Sequence, residues 1–190
     1  MRVILISGKA RHGKSTMARY LEDGITKIGK RVMRLAFADY VKFVSAKYFG
    51  WNGEKDQKGR HILQYVGTDL VRSRDENFWV DNIIRFSKII ERDMDYVLID
   101  DWRFPNEYTR WIEQGFENVT KLRVVRTGYD SILTPEQQLH PSETALDNYN
   151  FDYTITTSTL AELQSECVRL LSPDGNKTIL CGVGTTINTV

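Results

Sequence analysis

The chain has 190 residues, of which 41% are hydrophobic and 27% charged, and its 26 basic and 25 acidic residues leave a net charge of +1. These values predict one ordinary globular domain, and the balanced charge gives no support to a general nucleic-acid coat or a polybasic membrane surface. Because Cys167 and Cys181 form neither a CxxC pair nor a cluster with histidine, we expect no zinc site and no disulfide scaffold, and a reducing cytosol fits.

Strands and helices alternate at the start of the chain. An apolar run at residues 3–6, rich in β-branched side chains, is typical of a strand buried on both faces, and it ends at Gly8. From Lys14 the apolar residues recur at helical spacing until Gly29, where a helix would stop. A second strand is predicted at 32–37. A strand, glycine turn, helix and strand within about 35 residues form a βαβ unit, which indicates an α/β fold with a mainly parallel sheet.

Later elements are predicted from the same periodicities. Three helices without a strand between them are expected at 39–49, 62–70 and 79–90. Three more strands are expected at 96–99, 122–125 and 153–155. Residues 127–142 are polar and predicted to be irregular. Thr159 and Glu162 form a capping-box pattern, which predicts a last helix with an apolar stripe of Leu160, Leu163, Cys167, Leu170 and Leu171. Beyond Pro173 the composition fits a hairpin or a disordered tail, and the sequence does not decide between them.

Residues 8–15, GKARHGKS, match the phosphate-loop motif G-x-x-x-x-G-K-[ST] in full, between a predicted strand and a predicted helix. Glycines let such a backbone curl so that its N–H groups and the helix start hold nucleotide phosphates. Lys14 would reach the β- and γ-phosphates, and the Ser15 hydroxyl would ligate Mg²⁺. For His12 a solvent-facing position is favoured over a phosphate contact. The motif predicts nucleotide binding and leaves the reaction open.

Two carboxylates, Asp100 and Asp101, close the predicted strand at 96–99. Ligand sites of parallel sheets lie beyond the carboxyl ends of the strands, so either carboxylate could hold Mg²⁺ directly or through water. The alternative is an acidic residue that merely precedes the helix starting near Pro105.

Four segments together resemble a family. They are the phosphate loop, residues 37–39 (FAD) with Lys42, residues 63–69 (LQYVGTD) with Arg72, and residues 101–107 (DWRFPNE), with a weaker likeness at 140–143 (HPSE). The chain resembles the phage-type deoxynucleoside monophosphate kinases, relatives of the adenylate kinase group of P-loop kinases. The likeness spans residues 1–171 and leaves a tail at 172–190 outside it.

The resemblance implies an α/β P-loop kinase fold, with a five-stranded parallel sheet in the order 2-3-1-4-5, a helical acceptor lobe at about 39–92 and a short lid at about 127–142. It implies transfer of the γ-phosphoryl group of ATP, with Mg²⁺ as cofactor, to a (deoxy)nucleoside monophosphate. The protein would be cytoplasmic, in the host cytoplasm if phage-encoded. We expect no membrane span and no direct nucleic-acid binding, because no apolar stretch is long enough and the charge is balanced. A homodimer is left open.

The implied site residues fall into four groups. The ATP-binding residues are Gly8, Lys9, Ala10, Arg11, His12, Gly13, Lys14, Ser15 and Thr16. The acceptor-binding residues are Asp39, Lys42, Gln64, Thr68, Arg72, Arg103, Asn106 and Glu107. The metal-binding residues are Ser15, Asp100 and Asp101. The catalytic residues are Lys14, Asp101 and Arg126, the last because the lid contains no arginine and Arg126 is the nearest cation.

Other interpretations stay open at this stage. Phosphomevalonate kinases have a similar Ser-Glu and Asp pattern beside the lid, and a nucleotide-dependent switch or ATPase would also carry a phosphate loop. Arg72 could bind a phosphate or be a solvated helix arginine. Arg103 could bind a phosphate or pair with Asp100 or Glu107. Gly67 could allow a ligand to approach the backbone or allow helices to pack.

Overall fold

The computed structural model describes residues 1–172. The predictions for the tail beyond Ser172, including the choice between hairpin and disorder and the surroundings of Cys181, lie outside the described residues. Among residues 1–172 we find no helix of the length and apolar character needed to cross a membrane.

Five strands and eight α-helices make up the described part of the chain. The strands are β1 (Arg2–Ser7), β2 (Val32–Leu35), β3 (Tyr96–Ile99), β4 (Val119–Arg126) and β5 (Tyr153–Thr157). The helices are α1 (Lys14–Lys27), α2 (Ala38–Tyr48), α3 (Gln57–Gln64), α4 (Phe78–Ile90), α5 (Pro105–Glu113), α6 (Pro135–Leu139), α7 (Pro141–Thr144) and α8 (Leu160–Leu171). A π-helical turn (Tyr65–Leu70) continues α3.

The strands form one parallel sheet in the order β2-β3-β1-β4-β5, which confirms the predicted fold class and strand order. Side chains of the central strand alternate between the two faces, and Val3, Ile4, Leu5 and Ile6 are all fully buried. Val3 and Leu5 pack with residues of α2, α4 and α5, whereas Ile4 and Ile6 pack with residues of α1 and α8. Both faces of the sheet are therefore covered, and the carboxyl ends of the strands meet at one edge.

Three local predictions differ from the structure. Residues 127–142 are not irregular throughout, because they contain α6 and the start of α7, and α6 begins with a capping box between Thr134 and Gln137. Such short helices are held by caps and carry no apolar period. Leu160 is 63% exposed, so the predicted apolar stripe of α8 was wrong at that residue. Strand β2 ends at Leu35 rather than at residue 37, because the next residues turn into α2.

The start of α8 is close to its prediction. Thr159 caps the helix, and its hydroxyl oxygen accepts the backbone N–H of Glu162 at 3.2 Å. The carboxylate of Glu162 returns to the N–H of Ser158 at 2.8 Å, one residue earlier than a standard capping box.

Candidate active site

The phosphate loop has the backbone of an anion-binding turn. It runs from the end of β1 to Gly13, which has a φ of 97° and precedes α1. Arg11 has a φ of 60°, which is rare for a residue other than glycine. A side chain at Gly8 would place its Cβ only 2.6 Å from the carbonyl oxygen of Val124, so the loop packs directly against β4. The curled backbone and the start of α1 suit phosphate groups.

Lys14 lies beneath this loop. Its ammonium donates hydrogen bonds to the carbonyl oxygens of Gly8, at 2.8 Å, and Lys9, at 2.9 Å. Burial, followed by the charge of Arg103, lowers the pKa of Lys14 to about 8. The amine of Lys14 is therefore mostly protonated at neutral pH. Phosphate oxygens of a bound nucleotide could replace the two carbonyl oxygens as its hydrogen-bond acceptors.

We expect nucleotide binding to weaken as the pH rises through 8. Bound phosphates would raise the pKa of Lys14 above about 8, so binding takes up a proton, and affinity falls above that pH by up to about tenfold per unit. Phosphate groups themselves titrate near pH 6, below this window. Calorimetric titration with a non-hydrolysable ATP analogue from about pH 7.5 to 9.5 measures the slope. Lys14→Arg, which stays charged, should give a flat profile. A flat profile for the unchanged protein would contradict the assignment.

The two carboxylates after β3 differ in their surroundings. Both oxygens of Asp101 accept backbone N–H groups at the start of α2, from Phe37 at 3.0 Å and Ala38 at 2.7 Å. Burial raises the pKa of Asp101 to about 6 against the effect of these two bonds. Asp101 therefore anchors α2 to the sheet, and we propose Asp100, with the exposed Ser15 at the start of α1, as the better candidate for Mg²⁺. These hard oxygen donors fit that ion, which usually keeps several waters and phosphate ligands.

A pocket lies between the sheet edge and the helical lobe, and one of its lining residues, Glu143, accepts the Ala10 N–H of the phosphate loop. Six of the eight predicted acceptor-binding residues line it, namely Lys42, Gln64, Thr68, Arg72, Arg103 and Glu107. Asp39 does not line it but pairs with Lys42 at 2.7 Å, and Asn106 does not line it but supports Arg72. Its apolar wall includes Phe37, Val41, Leu63, Trp79 and Phe104. The structure therefore brings together residues from distant parts of the chain that the sequence analysis grouped.

Arg72 is neither solvated nor free. Its side chain is 9% exposed, and its guanidinium donates to the carboxylate of Glu107 at 3.0 Å and to the Asn106 side chain at 2.6 Å. The guanidinium also lies over the ring of Phe104, 3.8 Å from the ring centre. The other oxygen of Glu107 accepts the backbone N–H groups of Arg103 and Phe104 at 2.8 and 3.0 Å. Arg72 thus joins the helical lobe to the turn after β3, and its contact with an acceptor remains a prediction.

Gly67 lies in the π-helical turn, a backbone conformation that is rare in proteins. A Cβ at this position would meet Val41 at 3.3 Å, which favours helix packing as the reason for the glycine. The carbonyl oxygen of Gly67 accepts the indole N–H of Trp79 at 2.8 Å. Single π-helical turns are frequent at functional sites, and this one borders the pocket with Gly67 and Thr68.

Arg103 pairs with neither Asp100 nor Glu107, the two carboxylates that were considered as the alternative to a phosphate. Its guanidinium pairs with Glu143 and donates to the carbonyl oxygen of Ser142 at 2.9 Å. Sequence reasoning noted the 140–143 segment but assigned no role to Glu143. Glu143 lies four residues after the end of α6 and belongs to no apolar periodicity. The sequence therefore does not indicate which side chain its carboxylate contacts.

Two cations at the pocket were missed. Lys55 and Arg60 both line it, and within residues 1–172 neither forms an ion pair. Arg60 lies one helical turn before Gln64, which was predicted, so the spacing could have indicated it. Burial, followed by the charges of Lys42 and Arg60, lowers the pKa of Lys55. The pocket therefore offers positive charge that the protein leaves available for an anion.

Arg126 stands on the other side of the loop. Its backbone N–H donates to Nδ1 of His12 at 3.2 Å, and its guanidinium lies 4.6 Å from the ring centre of Tyr129. His12 is half-buried rather than solvent-facing, and burial, followed by the charge of Lys14, lowers its pKa. Within residues 1–172 we find no carboxylate paired with Arg126, so this guanidinium is available beside the donor loop.

Comparison with known proteins shows the fold and leaves the family open. No family model and no curated protein matches the chain. A sugar kinase from Janibacter sp. HTCC2649 is 13% identical, over 90% of this chain and 94% of that one, with a TM-score of 0.51. The APS kinase of Mycobacterium tuberculosis is 14% identical, over 90% and 96% of the two chains, with a TM-score of 0.46. The sheet order and the sugar kinase likeness together show a P-loop kinase fold.

Proposed function

We propose that this protein transfers the γ-phosphoryl group of ATP to a (deoxy)nucleoside monophosphate and so makes the diphosphate. The observation that carries the proposal is a complete phosphate loop and a cation-lined pocket that are joined by Glu143, which lines the pocket and accepts the Ala10 N–H of the loop. A switch protein needs only the first of these features. A phosphotransferase needs both, because donor and acceptor must meet in line.

The donor half would be held by the loop and by α1. Backbone N–H groups of the loop bind the phosphates, and Lys14 stabilises negative charge as it develops on the transferred group. When bound, Mg²⁺ would neutralise charge on the nucleotide phosphates, held by Ser15 and Asp100. Arg126 would approach the nucleotide from the lid side.

The acceptor half would be held by the pocket. Arg103, Arg60 and Lys55 offer positive charge to the acceptor phosphate, and planar guanidinium groups suit two of its oxygens at once. Apolar walls with the polar side chains of Gln64 and Thr68 suit the flat, hydrogen-bonding ring of a base. The acceptor phosphate is already an anion, so no general base is required. The lid at 127–142 contributes Leu133 and Ser142 to the pocket, which fits closure over bound substrates.

One observation favours a second candidate. Arg103, Arg60 and Lys55 would recognise a phosphate on any acceptor, and a phosphorylated non-nucleotide molecule of phosphomevalonate type would carry the same group. Release of ADP, measured over a panel of ribo- and deoxynucleoside monophosphates and phosphomevalonate, separates these acceptors. We expect turnover with at least one nucleoside monophosphate. Turnover with phosphomevalonate alone would move the assignment to the second candidate, and background hydrolysis with every acceptor would support a switch or ATPase.

Arg103→Ala should weaken use of the acceptor far more than binding of ATP. One charge-assisted contact contributes about 1.5–3 kcal/mol, so kcat/KM for the acceptor should fall roughly tenfold to a hundredfold. Arg103→Lys should recover only part of the loss, because a point charge cannot grip two oxygens in one plane. Arg85→Ala removes an exposed arginine of α4 and serves as the matched control. Loss of ATP binding with unchanged acceptor use would place Arg103 on the donor side instead.

A further inference from the structure

The carboxylate of Glu143 lies where the donor and acceptor halves of the site meet. Its side chain is 6% exposed. One oxygen accepts the backbone N–H of Ala10, in the phosphate loop, at 3.1 Å, and the other pairs with the guanidinium of Arg103, beyond β3. Burial works against ionisation, but Arg103 and Lys14 outweigh it and hold the pKa of Glu143 below its usual value. The carboxylate is therefore an anion at neutral pH.

The partners of Glu143 are the kinds of group that bind a phosphoryl. A backbone N–H of a curled loop and a guanidinium are both common ligands of phosphate oxygens. In-line transfer requires the moving group to pass between the phosphate loop and the acceptor side. An anion supplied by the protein thus already bridges the two sides through Ala10 and Arg103.

The segment that carries Glu143 is fastened to the same loop. We call residues 141–147, which include α7 and the turn after it, the strap. The ammonium of Lys9 donates to the carbonyl oxygen of Glu143 and also pairs with Asp147, both at 2.5 Å. Arg123 of β4 pairs with Asp147 as well, at 3.2 Å. The strap therefore lies against the phosphate loop through its main chain as well as through its acidic side chains.

We propose that Glu143 is a built-in substitute for the transferring phosphoryl group, which holds Arg103 and the phosphate loop between turnovers and is displaced when ATP binds. The proposal rests on the proposed function, because it requires nucleotide phosphates at this loop. Nucleotide phosphates need the Ala10 N–H and the acceptor phosphate needs Arg103, and two anions cannot share either group at close range. ATP must therefore break the contact between Glu143 and the Ala10 N–H, so the site binds nucleotide more weakly than the loop alone would.

Glu143→Gln tests the displacement directly, because it keeps the size and one acceptor oxygen but removes the charge. We expect this variant to bind a non-hydrolysable ATP analogue with Mg²⁺ about tenfold more tightly, without any acceptor present. Asp147→Asn should give a smaller gain in the same direction, since it loosens the strap and leaves the carboxylate in place. The matched control is Glu117→Gln, an exposed carboxylate with no role at the site, which should bind as the unchanged protein does.

Two further titrations with the ATP analogue, one at high ionic strength and one with Lys14→Ala, show why binding changes or fails to change. Displacement of a direct contact persists at high ionic strength, whereas long-range attraction of ATP is screened. A gain that disappears at high salt, or unchanged or weaker binding by Glu143→Gln, would overturn the proposal. Lys14→Ala in the same titration separates a failure of the displacement from a failure of the proposed function. If Lys14→Ala binds as tightly as the unchanged protein, the proposed function itself fails. If it binds weakly while Glu143→Gln shows no gain, only the displacement is wrong.

Discussion

Lys14→Ala should abolish phosphoryl transfer while leaving the fold intact. The ammonium acts on charge that develops in the transition state, so we expect kcat to fall by about a hundredfold to a thousandfold or more. Its hydrogen bonds in the structure go to two carbonyl oxygens of the loop, and burial opposes its charge, so its loss should change thermal stability little. Turnover at saturating ATP and acceptor, together with the melting temperature, measures both effects.

Lys27→Ala provides the matched comparison for that experiment. Lys27 is an exposed lysine in the last turn of the same helix, α1, and its replacement by alanine should leave turnover unchanged. Near-normal turnover of Lys14→Ala would mean that the loop is not the catalytic phosphate site. A large drop in melting temperature would mean that Lys14 serves the fold rather than the reaction.

Arg72→Ala should be the most destabilising of the single arginine substitutions considered. It would leave the carboxylate of Glu107, 4% exposed, with two backbone N–H donors and no countercharge. Breaking one side of a buried ion pair typically costs about 3–5 kcal/mol in the free energy of unfolding. Chemical denaturation measures the loss. Arg169→Ala, which breaks an exposed pair with Glu166, should cause a much smaller change.

The pH dependence of this loss follows from Glu107. Burial raises the pKa of Glu107 to about 7, above its unfolded value, even with Arg72 opposing the shift. Without Arg72 the pKa rises further, and the folded state then binds a proton that the unfolded state releases. The contribution of Glu107 to the stability of Arg72→Ala is therefore fully present below pH 4.5 and is lost as the pH rises to 7 and beyond.

A second substitution shows whether charge is the cause. Glu107→Gln added to Arg72→Ala removes the unpaired charge and keeps an oxygen for the backbone N–H groups, so it should recover much of the lost stability. Equal stability of the single and double variants would show that the stacking of Arg72 on Phe104, rather than the ion pair, carries the effect.

The sheet and the phosphate loop were predictable from the sequence because each rests on local signals, and the family resemblance implied six of the residues that line the pocket. Buried strands such as β3 leave a short apolar run, and the loop is contiguous in residues 8–15. The six predicted acceptor-binding residues that line the pocket lie near such runs, at strand ends or on helix faces. The family resemblance then implied that these residues belong to one site.

The hydrogen-bond and ion-pair partners of the site residues were not predictable in the same way. Either Asp100 or Asp101 was expected to hold Mg²⁺, and nothing in the sequence indicated that Asp101 accepts two backbone N–H groups at the start of α2. The pairing of Arg103 with Glu143 joins residues forty positions apart. Such pairings depend on the distance between each carboxylate and each cation in the folded protein. Periodicity and composition carry no information about that distance.

The π-helical turn at Tyr65–Leu70 makes the length of this segment as important as its composition. A π-helical turn holds one residue more than an α-helical turn, and each residue in an α-helix advances the side chains by about 100°. Deletion of one residue here should restore α-helical hydrogen bonds and keep Arg72 directed toward Glu107, whereas deletion of one residue within α3 should rotate Arg72 away from Glu107 by about that angle. Single deletions in this turn should therefore be tolerated more often than single deletions in α3, and a deletion scan read by soluble yield would show it. The turn thus carries one residue that the helix can lose, and a residue lost before it shifts the phase of everything that follows.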